Sequence, residues 1–249
     1  TVIVGESRDM RLMAAREAVA VAAQNPGCIA GIKVRVGRHA SGVSEIAPLL
    51  VALDVADQAG LPLMCHIDEP PPTYGEVVDL LRPGDVLTHC FRPFPNAPVH
   101  GDGTVRQSVL DARARGVFFD VGHGMGSFSW KTARAMANAE FWPDTISSDV
   151  HAMCIEGPAW DLLRTMTKFL YLGMPLEQVI SLATNNAATA IGRPDLGTFA
   201  IGATGDASVL SLDATEIQLE DVLGNVEIYD QQLFARGLVI DGAWQQALK

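Results

Sequence analysis

The chain has 249 residues, with 29 acidic residues against 18 basic ones and a formal net charge of −11; 48% of the residues are hydrophobic and 19% charged. That composition supports a folded core and excludes a disordered chain. An acidic balance without any lysine- or arginine-rich run argues against nucleic acid or an anionic membrane surface as partner, and every apolar stretch is interrupted before the roughly 18 residues a membrane span needs.

Apolar runs closed by turn signals predict strands at Cys28–Val36, Leu61–Ile67, Asp85–Cys90, Gly116–Val121 and Asp144–Val150. Between them, helical spacing predicts helices over Ile46–Ala59, Tyr74–Leu81, Thr104–Ala114 and Trp130–Ala139. This alternation marks a parallel sheet wrapped by helices. Two more helices, Trp160–Tyr171 and Leu176–Ile191, precede the glycine-punctuated segment Gly197–Leu212. Further strands are expected at Val226–Tyr229 and Leu238–Ile240, the second followed by an Asp241-Gly242 turn. The expected division is a barrel-like α/β part over residues 1–196 and a small β part over 197–249. Cys28, Cys65, Cys90 and Cys154 form no CxxC pair and sit in or beside apolar runs, which predicts buried free thiols. With no signal-peptide pattern, the expected compartment is the cytoplasm.

The polar residues near the strand ends carry the chemistry. Lys33 lies within GIKVRV, His66 closes LPLMCH, His89 closes DVLTH, His123 follows FFDVG, and Asp149 ends TISSD. In a parallel barrel the C-terminal strand ends converge on the active site, so five such residues in succession point to one site. Strand alternation turns Cys65 and Cys90 away from the face that His66 and His89 share, and places Lys33 with Arg35. A lysine inside a barrel is desolvated, which lowers its pKa. The neutral amine can add carbon dioxide to form a carbamate, a bidentate ligand able to bridge two divalent metals. Two imidazoles and a carbamate suit zinc, and Asp149 is the candidate for second-metal ligand and proton acceptor from a bridging water. His123 is a candidate for substrate contact, with a hydrogen bond to its own loop as the alternative. Arg35, Arg92 and His151 are candidates for holding an acidic substrate. GHGMGS and GDGTV lack the Gly-Lys-Ser/Thr ending of a phosphate loop.

At these residues the sequence resembles the amidohydrolase superfamily. The strings GIKVR, LPLMCH, GDVLTHCF, GVFFDVGHG and DTISSDVH are similar to its amidohydrolase/deacetylase metallohydrolases, a subgroup that includes dihydroorotase-like proteins. Leu182–Leu212 is similar to the segment joining the last barrel helix to a β-sandwich, with Asn186 where proline is usual. The resemblance implies a (β/α)₈ barrel with a small β-sandwich. It also implies Lys33 as the carboxylated strand-4 lysine, His66 and His89 as the ligands of strands 5 and 6, and Asp149 as that of strand 8. The activity implied is hydrolysis of an ester or amide, with small acetylated carboxylic acids as substrates. The superfamily's strand-1 His-x-His pair has no counterpart before Lys33. The strands present match barrel positions 4 to 8, so the chain is expected to be the C-terminal part of a longer enzyme, with pairing into a homo-oligomer open at its exposed strand edge. Two alternatives stay open: a cyclic amidohydrolase such as a dihydroorotase, and a catalytically inactive fragment that serves as partner or scaffold.

Overall fold

In the computed structural model, which describes residues 5–246, four parallel strands run in sequence order: β1 (Ile32–Val36), β2 (Leu63–Ile67), β3 (Val86–Thr88) and β4 (Phe118–Asp120). Each is shorter than its apolar run, because the flanking residues finish the preceding helix or turn. The Cys28 and Ile29 amides bond to the Asn25 carbonyl after helix α1 (Ala15–Gln24), and Leu61 N bonds to Ala56 O beyond α2 (Ala47–Ala59). Cys28 is consequently exposed, against the expectation of burial, whereas Cys65, Cys90 and Cys154 are buried free thiols.

The register pairs Arg35 with His66, His66 with Thr88, and Thr88 with Asp120. Alternation therefore puts Lys33, Arg35, Met64, His66, Val86, Thr88, Phe118 and Asp120 on one face. The opposite face carries Val34, Val36, Leu63, Cys65, Ile67, Leu87 and Phe119, all buried. These join the apolar sides of α2, α3 (Tyr74–Leu80), α4 (Gln107–Arg115) and α5 (Trp130–Asn138) in one core. A capping box starts α3, with Thr73 and Glu76 satisfying each other's backbone donors. Lys33 is the second residue of β1, two positions short of the level of His66, not near the C-terminal end as the sequence suggested.

The fifth expected strand does not form. Segment 144–149 runs beside β4 with one parallel bridge, Asp120 to Thr145. The amides of Val121, His123 and Gly124 donate to Thr145, Ser147 and Ser148. The side chains explain the irregularity: Thr145 and Ser147 both turn their hydroxyls to the buried Asp120 carboxylate, at 2.7 Å each.

Helix α6 (Leu162–Tyr171) starts behind Asp161, whose carboxylate caps the Arg164 amide. The predicted helix 176–191 is two helices, α7 (Leu176–Ala183) and α8 (Asn185–Ala190), broken at Thr184. There Thr184 Oγ1 donates to Ile180 O, and Ser181 Oγ donates to Asn185 Oδ1, the local competition that weakens helices at such residues. The β part is one antiparallel sheet, β5 (Ala207–Glu220), β6 (Val226–Ile240) and β7 (Ala243–Gln246). The two strands expected at 226–229 and 238–240 are the ends of continuous β6. Its polar middle is held by pairing with β5 and by cross-strand bonds from Arg236 to Ser211 and Asp213. Among the described residues no helix is long and apolar enough to cross a membrane.

Trp130, first residue of α5, joins the two parts. Its indole Nε1 donates to Leu219 O at 3.1 Å, and its backbone amide donates to Asp221 Oδ2 at 3.0 Å, so the β5–β6 turn caps α5 from outside. The ring is only 2% exposed and lies edge-on to Phe128 and Tyr171. A Trp130→Ala chain should lose about 3–5 kcal/mol of stability, read from urea unfolding. A loss below about 1 kcal/mol would mean that the indole does not hold the sheet to the barrel part.

Candidate active site

His66 and His89 are the site residues that the fold brings into direct contact. His66 is the fourth residue of β2, and His89 follows β3 directly in the left-handed region (φ 73°). That conformation is uncommon for any residue but glycine and costs on the order of 1–3 kcal/mol. His89 Nδ1 lies 2.6 Å from the Gly122 carbonyl. A carbonyl only accepts, so Nδ1 carries the proton and Nε2 presents a lone pair. That lone pair faces His66 Nδ1 at 2.7 Å.

As a direct hydrogen bond, this contact requires His66 Nδ1 to donate to His89, which leaves His66 Nε2 deprotonated. That atom is buried without a hydrogen-bond partner and lies 3.8 Å from the Asp68 carboxylate, so two electron-rich groups face each other. A cation held by both Nδ1 of His66 and Nε2 of His89 would remove the conflict: the His66 proton would move to Nε2, on the Asp68 side, and both lone pairs would be free to ligate. A ligating imidazole whose other nitrogen is oriented by a carbonyl or carboxylate is the usual arrangement at protein metal sites. Desolvation lowers the pKa of both histidines, most strongly for His89, where His66 and Lys33 add to the effect. Neutral imidazoles are the form that ligates. The donor chemistry fits a divalent metal. Among the described residues, however, no three His, Cys, Asp or Glu side chains converge on a common point.

The VGHG turn supplies the orienting carbonyl, and both of its glycines are required. A Cβ on Gly122 (φ 48°) would meet Thr88 Oγ1 at 2.2 Å and His89 Nδ1 at 2.8 Å. On Gly124 (φ 51°) it would meet Asp149 Oδ2 at 2.8 Å. The Asp149 carboxylate thus lies against Gly124, exposed to solvent, on a residue that is also left-handed (φ 46°).

Lys33 stands at the open edge of the parallel sheet. Although the residue is exposed overall, desolvation and then the charge of Arg35 lower its pKa, while Asp149 and Asp120 oppose the shift. Among the described residues no hydrogen bond joins Lys33 or Asp149 to the histidine pair; Lys33 acts on both rings through its charge, and Asp149 acts on Lys33. Arg35, level with His66, pairs with Glu6 at 3.0 Å. His123 is fully buried, with Nδ1 2.9 Å from Gly124 O and Nε2 2.6 Å from Lys168 Nζ, so both ring nitrogens are already engaged within the protein. Arg92 is buried and donates to Ile67 O, and His151 is exposed with Nδ1 accepting from Met153 N.

A family model described as the amidohydrolase family matches residues 129–242. A deacetylase of Brucella anthropi is 32% identical over 237 residues, 95% of this chain and 59% of that protein. A crystal structure of a dihydroorotase superposes with a TM-score of 0.90 at 31% identity, covering 99% of this chain and 67% of that one. The chain belongs to the amidohydrolase superfamily. A crystal structure of an adenine deaminase is similar as well, with a TM-score of 0.93 at 29% identity over 97% of this chain and 66% of that one. The four parallel strands and their helices are accordingly an arc of the amidohydrolase α/β barrel. The chain spans 59% of the length of its curated Brucella relative.

Three residues of the candidate site in this amidohydrolase-superfamily chain were not singled out from the sequence. Asp68, two residues beyond His66, accepts from the His39 and Ala40 amides. Desolvation opposes its ionisation, but His66 and the two amides outweigh it and lower the pKa. Asp120 is buried on the same face as His66 and accepts from Thr88, Thr145 and Ser147, all at 2.7 Å; desolvation nonetheless raises its pKa. Alternation along FFDV could have found it. Lys168, on α6, is the third. A groove of about 1050 Å³ beside α5, lined by Trp130, Lys131, Arg134 and Glu227 among others, contains none of these residues.

Proposed function

We propose that this chain carries the His66, His89, Lys33 and Asp149 part of a divalent-metal hydrolase acting on an ester or amide of a small acylated carboxylic acid, with acetyl as the acyl group. The observation that carries the reading is the opposed pair of ring nitrogens at 2.7 Å, with the unpartnered His66 Nε2 behind it. His66 and His89 would hold the ion through Nδ1 and Nε2, and nitrogen donors favour zinc. Lys33 would complete the set as a carbamate: its neutral amine, favoured by the lowered pKa, adds carbon dioxide and releases one proton. Bound there, a divalent ion lowers the pKa of a water and polarises a carbonyl. Asp149 lies on the solvent side of the turn, where its carboxylate can take the water's proton and pass it to the leaving group. Arg35 is assigned to a substrate carboxylate; His123, buried with both ring nitrogens engaged, shapes its turn and contacts no substrate. The similarity to a deacetylase supports the acetyl reading.

A cyclic amide is the second reading, favoured by the superposition on a dihydroorotase. The test is metal per chain by plasma mass spectrometry after purification with zinc and bicarbonate, followed by hydrolysis of acetyl esters, acetyl amides and cyclic amides. About one zinc per chain with turnover of acetylated carboxylic acids is expected. Turnover of cyclic amides alone selects the second reading, and no zinc uptake refutes both. A Lys33→Ala chain should lose the zinc and regain it with added small carboxylic acids. Unchanged zinc content in that variant would remove Lys33 from the ligand set.

A further inference from the structure

Lys168 is fully buried on α6, and its Nζ contacts three groups: His123 Nε2 at 2.6 Å, Pro158 O at 3.1 Å and Glu220 O. Both carbonyls can only accept. His123 Nδ1 faces Gly124 O and therefore carries the ring proton, so His123 Nε2 is an acceptor too. Three acceptors around one nitrogen call for three protons, the complement of an ammonium. The His123 ring is stacked on Phe128, with centroids 4.9 Å apart, and Lys168 Nζ lies 5.2 Å from the centroid of the same ring. Desolvation, and then the charge of Arg164, bring the lysine pKa down to about 7, against the pull of Asp221 and Glu220. Its three acceptors offset part of the cost of burying that charge.

The other end of this clamp is the turn that orients His89. His123 lies between Gly122, whose carbonyl orients His89, and Gly124, which lies against Asp149. We propose that Lys168 is a positioning residue for the histidine pair: anchored to the Pro158 and Glu220 carbonyls, it locks the His123 ring and with it the 122–124 turn that orients His89. This rests on reading His66 and His89 as metal ligands. It gives α6 and the last residue of β5 a role at a site that neither of them lines.

The test uses the whole chain labelled with ¹⁵N-histidine, in which long-range nitrogen–proton correlations read each ring's tautomer. A zinc titration is run on the same samples. In the unsubstituted chain His89 and His123 should both be protonated at Nδ1. In Lys168→Met, His123 should lose its single tautomer, His89 should lose its fixed Nδ1 proton, and zinc affinity should fall about tenfold, the lower end of what an outer partner of a ligand is worth. His123→Gln, whose side-chain oxygen can still accept from Lys168, should bind zinc more tightly than His123→Leu, which cannot. That comparison decides the matter if Lys168→Met fails to fold. A folded Lys168→Met chain with the original His89 tautomer and unchanged zinc affinity overturns the proposal, as does equal zinc affinity in the two His123 variants. If the unsubstituted chain takes up no zinc, the metal-ligand reading fails by itself, and the His89 tautomer in the substituted chains alone decides whether Lys168 positions that ring.

Discussion

A His89→Ala chain should take up no stoichiometric zinc, with an affinity loss of at least about a hundredfold, because even an outer partner of a metal ligand is worth 10–100-fold. The substitution removes the nitrogen of the pair whose lone pair is fixed by a carbonyl on the far side of its ring. It also leaves Gly122 O without its donor inside the core. Alanine would inherit the strained backbone at φ 73°, so a stability loss could be mistaken for the cause. His89→Gly separates the two effects, since glycine adopts that conformation freely. The Gly variant should melt at or above the Ala variant and still hold no zinc. Metal analysis and thermal melting on both variants check this, and near-stoichiometric zinc in either would remove His89 from the ligand set.

An Asp149→Asn enzyme should keep its zinc and its fold and lose about 10²–10⁴ in kcat, the range contributed by a positioned general base. The exchange is conservative where it matters structurally. Asparagine fits the left-handed backbone at φ 46° as readily as aspartate, and it keeps the volume of the side chain against Gly124. What it loses is the ability to accept a proton. KM for the best acetylated substrate should change much less than kcat. Full kcat in the variant would end the assignment of Asp149 as base.

The parallel arc and the place of His66 were legible because a two-residue period carries both; His89, one residue past Thr88, turns to His66 only through its left-handed backbone. Apolar residues alternate toward the helices, and that alternation forces His66 onto the opposite face, level with Thr88 and Asp120. Lys168 was not legible. In LLRTMTKFLY it reads as the polar side of an amphipathic helix, and only the β5–β6 sheet, some fifty residues further on, turns that side into core. Segment 144–150 misled for the opposite reason. Its β-branched, alternating residues suit a strand, but Thr145 and Ser147 spend their hydroxyls on Asp120, a partner that becomes visible only once the sheet is folded. Lys33 was found by its string, yet its place at the second position of β1 depends on where α1 ends, which apolar periodicity does not report.

The contact between Trp130 and the β5–β6 turn spans 91 residues through the Asp221 bond and 89 through the Leu219 bond. A chain emerging from the ribosome therefore presents its parallel strands long before the acceptors for Trp130, and the Glu220 carbonyl that meets Lys168, exist. Until Glu220 has been synthesised, Lys168 lacks one of its three acceptors and α5 lacks its external cap. The last quarter of the chain thus acts as the closing step of assembly. If Lys168 positions the 122–124 turn, the segment behind His89 gains its last anchor only when the antiparallel sheet has docked.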